Sequence, residues 1–446
     1  MRLTILHTND IHGRVEGLAR VATVVERVRS DTAWPVLYLD AGDVEETTTR
    51  ISNITKGAAM HRLLTAAGCE AQTVGNAAWL RYGMQVLAEH AEAAGYPLLL
   101  ANLRGRGGAE LSGVRSSHLL EHSGIRVGLI GVTASFAEFH DNFDFGAEVL
   151  DEEKLVRELA LELRDRGADV VIVLSHLGLD VPQAAIDDRR LARAVGAEVD
   201  AIIGGHSHNL LPEGEWIGDV LVAQAGEYAQ HVGRIDIDED GMRASTIPVT
   251  EDEPLHAAVL AEVSRIEPEV AALLDTVIGE LDSPLDQLGA SLWLAHILRE
   301  RLDAEVGLVT PGQAFSEALA LAAGPLRRGA LWDVCDSSAN PGVTEMTGEQ
   351  LARLIARGRE ADFGLSTARP LRGRRRGELQ VSGLEETIDP DRTYTVAGTD
   401  WELEPYGGMA EPGWGLEIRY DFPTIVREAI EEHLAAEGAV LGSEAV

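Results

Sequence analysis

Short apolar runs that finish in polar or charged residues are the feature that most constrains how this chain can fold. Over the first 240 residues these runs alternate with helical patterns, which is typical of layered α/β architecture. The predicted strands are LTILHTND (3–10), VLYLDAGD (36–43), AQTVGN (71–76), YPLLLANL (96–103), IRVGLIGVT (125–133), DVVIVLSHLG (169–178) and DAIIGGHSH (200–208). Because ligand sites in open α/β sheets gather at the carboxyl ends of strands, the polar residues that close these runs are expected to meet.

The pattern changes near residue 250. Residues 251–278 predict a linker helix that is interrupted at Pro268 and is expected to act as a hinge between two domains. Beyond it, 279–446 is predicted to form a second α/β unit. The predicted helices of the chain are 18–28, 152–167, 290–302 and 347–358, and the strands of the second unit lie around 306–310, 378–383 and 393–399.

The chain is strongly acidic, with a formal net charge of −35. This charge argues against nucleic acid or an anionic membrane as the main partner, and we expect it to form a solvated acidic surface. No apolar run reaches transmembrane length, and no signal peptide is predicted because MRLTILHTND passes directly into a strand. Cys69 and Cys335 are expected to be free thiols in a reducing compartment. We therefore expect a cytoplasmic protein, either a monomer or a homodimer.

The residues that close five of the predicted strands share a chemistry. Imidazole nitrogen together with carboxylate and amide oxygen suits divalent ions such as Zn²⁺ or Mn²⁺. One such fragment alone is more often a turn, but five in order, each after an apolar strand, favour a dinuclear metal site. Asn9 is expected to hydrogen-bond a ligand carboxylate, whereas His61 and His90 show no ligand spacing and are expected to be structural or exposed.

Five motifs carry a family resemblance. ILHTNDIHGR, LDAGDVEE, TVGN, VLSHLG and IIGGHSH resemble, in this order, the motifs of calcineurin-like metallophosphoesterases. More narrowly, they resemble the bifunctional 5′-nucleotidases, UDP-sugar hydrolases and 2′,3′-cyclic phosphodiesterases, in a divergent cytosolic bacterial branch. DSSANPGVTEMTGEQLARLI and GELQVSGLE resemble the nucleotidase C-terminal domain. The resemblance implies a four-layer α/β/β/α metallophosphoesterase sandwich over 1–250, the linker helix over 251–278, and over 279–446 a nucleotidase-like α/β domain that shapes the substrate cleft.

Carried over residue by residue, the resemblance implies two divalent metal ions, Mn, Zn, Co or Mg, with one bridging carboxylate. The implied ligands of the first ion are Asp10, His12, Asp43 and His208, and those of the second are Asp43, Asn76, His176 and His206. Asp43 and Asn76 are the implied catalytic residues. The implied activity is hydrolysis of nucleotides or related small phosphate esters by a metal-activated water.

The stretch TVGNAAWLRYG departs from the family pattern. Family members commonly carry a histidine where this chain has Ala77, and often an orienting aspartate where it has Leu80. Three interpretations stay open: a slower enzyme, an enzyme in which Arg81, Tyr82 or His140 replaces the histidine, and a catalytically silent pseudoenzyme that binds metal and ligand. We favour a working hydrolase, because some cytosolic bacterial relatives also resemble this chain in lacking the histidine.

Nucleotide specificity rests on weaker signals. Nucleotidases often carry a substrate-binding arginine at the end of a glycine-rich turn, but in LVTPGQAF the corresponding residue is Phe315. Trp401 and Tyr406 are the predicted substrate-binding aromatics, and Trp414 is a further candidate; stacking on a base would contribute roughly 1–3 kcal/mol. An ordinary core or surface role is at least as compatible with each aromatic. Sugar phosphates and cyclic nucleotides therefore stay open as substrates.

Overall fold

The computed structural model describes residues 1–134, 145–181, 186–317, 319–360, 377–384 and 387–437. The chain divides into two compact units, Met1–Val270 and Ala271–Val446. Each unit combines β-sheets with helices, which confirms the predicted two-domain α/β fold. None of the helices in the described ranges is long and apolar enough to cross a membrane.

The first unit is built from short strands and amphipathic helices. Its strands are β1 Leu3–Thr8, β2 Val36–Asp40, β3 Ala71–Thr73, β4 Leu98–Leu99, β5 Leu103–Gly105, β6 Val114–Arg115, β7 Ser117–His122, β8 Ile125–Thr133, β9 Ala147–Val149, β10 Val170–His176, β11 Ala201–Ile203, β12 Glu215–Ile217, β13 Val220–Ala223, β14 His231–Asp238 and β15 Gly241–Pro248. Its helices are α1 Val15–Asp31, α2 Arg50–Ile54, α3 Ala58–Ala66, α4 Asn76–Tyr82, α5 Val86–Ala93, α6 Glu152–Asp165 and α7 Asp188–Val195, and α8 Ala257–Leu274 begins in this unit and ends in the second.

Two large sheets form the middle layers of this unit. The seven-stranded sheet has the order β15-β14-β1-β2-β3-β4-β6, and the six-stranded sheet has the order β12-β13-β11-β10-β8-β7. Apolar residues of both sheets, among them Ile5, Leu39, Leu129 and Ile172, pack into one buried cluster. Helices α6 and α7 cover the other face of the six-stranded sheet, and α1 contacts β2 and β14 of the seven-stranded sheet. The result is the predicted α/β/β/α sandwich.

Parallel pairing brings polar strand ends to one edge. β1 runs parallel to β2, with Thr8 opposite Asp40, and β2 runs parallel to β3. In the other sheet β10 runs parallel to both β8 and β11. β3 ends at Thr73, earlier than predicted, because the chain turns into α4 at Asn76. Asn76 therefore occupies the first turn of a helix instead of the end of a strand.

The helix predicted near 251–278 is α8, and it continues through Pro268. The predicted interruption is therefore wrong. Proline inside a helix costs about 3 kcal/mol because it removes a hydrogen bond and crowds the preceding turn. Val259, Ile266 and Val270 are buried along one side of α8, and this packing offsets that cost.

The second unit has a five-stranded sheet with the order β22-β18-β23-β21-β24. The strands of the second unit as a whole are β16 Val277–Leu281, β17 Leu285–Asp286, β18 Val306–Val309, β19 Ala320–Leu321, β20 Gly324–Arg327, β21 Pro341–Thr347, β22 Gln380–Ser382, β23 Thr393–Thr399 and β24 Arg419–Tyr420. Its helices are α9 Gln287–Arg301, α10 Pro311–Ala314, α11 Arg328–Val334, α12 Gly348–Arg359, α13 Asp400–Leu403 and α14 Val426–Glu437. The core of this unit contains buried residues of α9, such as Trp293 and Leu294.

Candidate metal centre

The loops that follow β1 and β2 bring three polar side chains together. Asp10 and His12 follow β1, and Asp43 follows β2. The backbone N–H of Asp10 donates to the carbonyl of Gly42 at 2.9 Å, and that of His12 donates to the carbonyl of Asp43 at 3.0 Å. These bonds hold the two loops in register. We call the side chains that meet here the strand-end group, and its members are Asp10, His12, Asp43, Asn76, His176, His206 and His208.

His176 ends β10 and is completely buried. Its Nδ1 lies 2.6 Å from the carbonyl oxygen of Ala41, and because a carbonyl only accepts, Nδ1 carries the proton. Nε2 lies 3.2 Å from Asp43 Oδ2 and 3.8 Å from Asp10 Oδ1, yet it has no aligned hydrogen-bond partner among the described residues. A bound cation would satisfy this orphaned nitrogen.

His12 and His208 converge on the other side of Asp10. Nδ1 of His12 lies 3.3 Å from the carbonyl oxygen of Glu45, and Nδ1 of His208 pairs with Glu227. The two Nε2 atoms face each other at 3.2 Å. They lie 3.6 Å and 3.3 Å from Asp10 Oδ1, respectively. Three potential ligands therefore point at one place.

Asn76 and His206 complete the strand-end group. Asn76 Oδ1 lies 2.7 Å from Nδ1 of His206. Asp43 Oδ2 lies 3.9 Å from Nε2 of His12 and 3.2 Å from Nε2 of His176, so this carboxylate stands between the two sets of histidines. A bridging ligand needs this position. Two overlapping triplets, Asp10 with His12 and His208 and Asp10 with Asp43 and His176, each bring one ligand atom per residue within 4.8 Å of the others.

The backbone of the strand-end group is strained. Asp10, His12, Asp43, His206 and His208 all have positive φ, between 46° and 71°. Residues other than glycine rarely adopt this region, which costs of order 1–3 kcal/mol and persists where surrounding structure enforces it. Such strain is concentrated at functional sites.

Gly75 and the start of α4 hold Asp43 in place. A Cβ at position 75 would lie 2.0 Å from Asp43 Oδ1, so a side chain there would displace the carboxylate. The backbone N–H of Ala77 donates to the same oxygen at 2.7 Å. Ala77, where the resemblance predicts a histidine, thus serves Asp43 through its main chain.

Opposing effects set the charges of the strand-end group. Burial disfavours charge on His176, but the negative charges of Asp43 and Asp10 outweigh burial and raise the pKa of His176 to about 10. Burial also disfavours charge on His12, but the interaction of His12 with Asp10 outweighs burial and raises the pKa of His12 to about 9. Burial would raise the pKa of both carboxyls, yet the imidazoles lower it. The group therefore attracts positive charge, and its nitrogen and oxygen donors fit divalent metal ions.

A cavity of about 110 Å³ opens beside these side chains. Two of the three candidate replacements for the absent histidine, Arg81 and Tyr82, lie on its wall. The third, His140, is outside the described residues. The other residues that line the cavity are His12, Asp43, Glu45, Glu46, Thr47, Asn76, Ala77 and Leu80.

Asn9 connects the strand-end group to the loop after β13. Its Nδ2 donates to Asp10 Oδ2 at 2.7 Å, as expected from the sequence, and to the carbonyl of Gly226 at 2.6 Å. Its Oδ1 accepts from the N–H of Ala225 at 2.9 Å. One amide thus orients the Asp10 carboxylate, a candidate metal ligand, and joins two loops.

The loop after β13 supplies residues that the sequence did not reveal. Gln224 donates to the carbonyl of Gly205 at 2.6 Å, Glu227 pairs with His208, and the Tyr228 ring lies 5.7 Å from the His208 ring. The apolar run VLVA followed by polar residues is the same signal that marked the other strands. That signal is weaker here because β13 is only four residues long.

The predicted aromatic substrate residues lie in the second unit. Trp401 is 7% exposed and belongs to the hydrophobic core of that unit. The side chain of Tyr406 is outside the described part of the chain. Phe315, at the position of the expected arginine, is fully buried in the same core. Base stacking by Trp401 and Tyr406 stays a prediction.

Two families match the chain. The calcineurin-like phosphoesterase family matches residues 3–210, and the 5′-nucleotidase C-terminal domain matches residues 286–409. The chain is 26% identical over 402 residues to the metallophosphoesterase YunD of Bacillus subtilis. The alignment spans 86% of this chain and 84% of that protein. It is 28% identical over 280 residues to the 5′-nucleotidase of Bos taurus, over 54% of this chain and 47% of that protein.

Solved structures show the same fold. The 5′-nucleotidase precursor from Thermus thermophilus aligns with a TM-score of 0.59 and 21% identity, covering 100% of this chain and 98% of the other. The NAD nucleotidase NadN of Haemophilus influenzae aligns with a TM-score of 0.63 and 16% identity, covering 98% and 96%. The matched regions together span about three quarters of the sequence and confirm the predicted resemblance: the chain joins a calcineurin-like phosphoesterase domain to a 5′-nucleotidase C-terminal domain, and proteins built from these domains are metal-dependent phosphoester hydrolases.

Proposed function

We propose that this protein hydrolyses small phosphate esters, nucleotides first among them, with two divalent metal ions. The proposed ligands are Asp10, His12, Asp43, Asn76, His176, His206 and His208. The observation that carries the proposal is the convergence of Nε2 atoms from three histidines on the carboxylates of Asp10 and Asp43, beside a cavity. A silent binding protein would use the same donors without turnover, and the assay described below separates the two.

The chain's own residues hold the reacting groups in place. When bound, the two ions would supply Lewis acids that activate water and polarise the phosphoryl group. Asp43 is fixed from both sides, since its Oδ1 accepts from Ala77 N–H and its Oδ2 faces His176. Asn76 presents its amide oxygen from the first turn of α4. Such prior orientation lowers the reorganisation that the reaction requires.

We propose that Arg81 binds the phosphoryl oxygens in the space that Ala77 leaves. Arg81 is half-buried on the cavity wall and forms no ion pair with the described residues. A guanidinium donates several hydrogen bonds and matches phosphate geometry, but it keeps its proton at neutral pH. Arg81 therefore stabilises charge and leaves protonation of the leaving group to solvent. We expect turnover to be slower than with an imidazole acid.

The cavity limits which part of the substrate it can receive. At about 110 Å³ it is smaller than the roughly 300–1,000 Å³ of pockets that enclose whole small molecules. It therefore receives the phosphoryl group, and the rest of the ester lies outside it. Base stacking by Trp401 would require its side chain to leave the core of the second unit. The Bos taurus relative named 5′-nucleotidase supports nucleotides and a role in nucleotide catabolism.

We also propose a cytoplasmic location and a monomer or homodimer. Cys69 and Cys335 are buried and form no disulfide, which fits a reducing compartment.

Hydrolysis assays on metal-stripped full-length protein test the proposal. Mn²⁺, Co²⁺, Zn²⁺ or Mg²⁺ is added back, and the substrates are nucleoside 5′-monophosphates, 2′,3′-cyclic nucleotides, a UDP-sugar, sugar phosphates and aryl phosphate mono- and diesters. Metal-dependent turnover that disappears in Asp43→Ala supports the hydrolase, and the substrate ranking names the ester class. Two bound ions without turnover above that of Asp43→Ala would instead establish the silent binding protein.

A further inference from the structure

A second group of imidazole and carboxylate side chains lies behind the loop that follows β2. Glu45, His61 and His90 are 2%, 2% and 1% exposed, and one potential ligand atom from each lies within 4.8 Å of the others. His61 is carried by α3 and His90 by α5. We call these three residues the helix-borne group.

The partner of each ring fixes where its lone pair points. His90 Nε2 lies 2.6 Å from the carbonyl oxygen of Lys56. A carbonyl can only accept, so Nε2 carries the proton and Nδ1 of a neutral ring presents its lone pair. Nδ1 lies 3.2 Å from Glu45 Oε1. A lone pair therefore faces a carboxylate oxygen.

The same reasoning applies to His61 through a buried chain of hydrogen bonds. Gln72 donates through its amide nitrogen to Asp40, which leaves its Oε1 as an acceptor for the Tyr96 hydroxyl at 3.2 Å. The Tyr96 oxygen must then accept from Nδ1 of His61, 3.0 Å away. Nε2 of a neutral His61 consequently presents its lone pair to Glu45 Oε1 at 2.7 Å.

Two imidazole lone pairs and one carboxylate thus converge in a space closed to solvent. One proton could satisfy one ring only. Two protons would place two imidazolium rings with centroids 4.3 Å apart in a low-dielectric interior, where like charges repel strongly. In addition, Glu45 Oε2 is buried and has no hydrogen-bond donor among the described residues.

We propose that the helix-borne group binds a third divalent transition-metal ion, with Glu45, His61 and His90 as its ligands. Imidazole nitrogen and carboxylate oxygen are the donors that Zn²⁺ accepts in proteins. The tight surroundings fit a buried structural ion: a Cβ at Gly57 would lie 2.5 Å from Glu45 Cγ and 2.7 Å from His90 Nε2.

This ion would stiffen the loop that orients a ligand of the strand-end group. The carbonyl of Glu45 is the atom that faces Nδ1 of His12, at 3.3 Å. Fixing the Glu45 side chain therefore also fixes the position of that carbonyl. The ion would act as a structural support, and its presence does not depend on turnover.

Zinc content measured by mass spectrometry tests the proposal on the full-length protein. Metal-stripped protein is reloaded with Zn²⁺ and dialysed against zinc-free buffer. We expect three zinc ions per chain in the wild type and in the control His118→Asn, a histidine on β7 outside both groups. We expect two in His90→Asn. In Asp43→Ala we expect fewer than three, with the ion of the helix-borne group retained.

Anomalous diffraction at the zinc edge keeps the test decisive if His90→Asn does not fold. Zinc-loaded wild-type crystals should show a peak between Glu45, His61 and His90. A zinc content in His90→Asn equal to that of the wild type, or no anomalous peak at this position, would overturn the proposal. The side chains of the helix-borne group would then be held together by hydrogen bonds without a metal ion.

Discussion

The strand-end group and the helix-borne group use the same kinds of side chain and differ in charge and access. The strand-end group has two carboxylates, which raise the pKa of His176 to about 10 against the opposing effect of burial. The helix-borne group has one carboxylate for two imidazoles, and burial together with the charge of His61 lowers the pKa of His90 to about 4. The first group borders a cavity, whereas His61 and His90 of the second group are buried away from it and only Glu45 reaches its wall.

The elements that carry each group explain this difference. Loops at strand ends carry five of the seven members of the strand-end group with positive φ, and main-chain hydrogen bonds join the loops that follow β1 and β2. Helices α3 and α5 carry the two imidazoles of the other group, which pack together inside the unit. Imidazole and carboxylate donors would therefore serve the proposed catalysis in one place and the proposed structural support in the other. Substitutions at five positions would break or sharpen this comparison.

Asp43→Ala should produce the largest effect. Because Asp43 stands between the two sets of histidines, its loss should lower kcat/KM by about 10³-fold or more, the share that a metal centre contributes to such reactions. His90→Asn should lower kcat/KM by roughly tenfold or less, because His90 affects the strand-end group only through Glu45 and His12. Steady-state kinetics with the best substrate compares them. Equal losses would mean that the two groups form one functional unit.

Arg81→Ala should lower kcat/KM by roughly 10²-fold, because removing one charged donor from developing negative charge costs about that much. Arg81→Lys should recover part of the loss, since lysine keeps the charge but not the planar set of donors. Arg166→Ala serves as the control, because it removes an exposed arginine whose ion pair with the described residues is to Glu162. An unchanged rate in Arg81→Ala would show that this arginine has an ordinary surface role.

Asn9→Ala should weaken metal affinity by roughly 10–100-fold, the usual cost of removing a group that orients a ligand. The reason is that Asp10 would lose the amide that donates to its Oδ2. Isothermal titration calorimetry with Zn²⁺ measures the change in metal affinity. Asn209→Ala is the matched control, because the Asn209 side chain makes no hydrogen bond with the described residues. Similar affinities in both variants would contradict the assignment.

Gly57→Ala should produce the smallest effect and should act on the helix-borne group. Its φ is +89°, and the new methyl group would meet both Glu45 and His90. Gly124→Ala also places alanine at positive φ, +83°, with nothing within 4 Å. Chemical denaturation should therefore show that Gly57→Ala is less stable than Gly124→Ala by about 1 kcal/mol or more. Equal stabilities would show that Glu45 and His90 move aside for the new methyl group at little cost in stability.

The sequence predicted the strand-end group because each member follows an apolar strand, and parallel strands share one edge. It could not show the positive φ of Asp10 or His208, since backbone strain leaves no pattern in residue type. Nor could it show that Asn76 opens a helix, because TVGN reads equally well as a strand end.

The helix-borne group had no comparable signal. Glu45 lies in a loop, and His61 and His90 stand on two different helices with no common spacing. The predicted structural character of these histidines agrees with their burial. Their meeting depends on how α3 and α5 pack, which is a tertiary property. For the same reason the core position of Trp401 could not be read from its neighbours.

The strand-end group draws its members from both sheets, with Asp10 and Asp43 on one and His176, His206 and His208 on the other. Ions bound here would hold the two sheets together at one end of the sandwich. By mass action a ligand at 100 times its dissociation constant stabilises the folded state by about 2.7 kcal/mol. The metal supply of the cell would then set the lifetime of this protein as well as its activity.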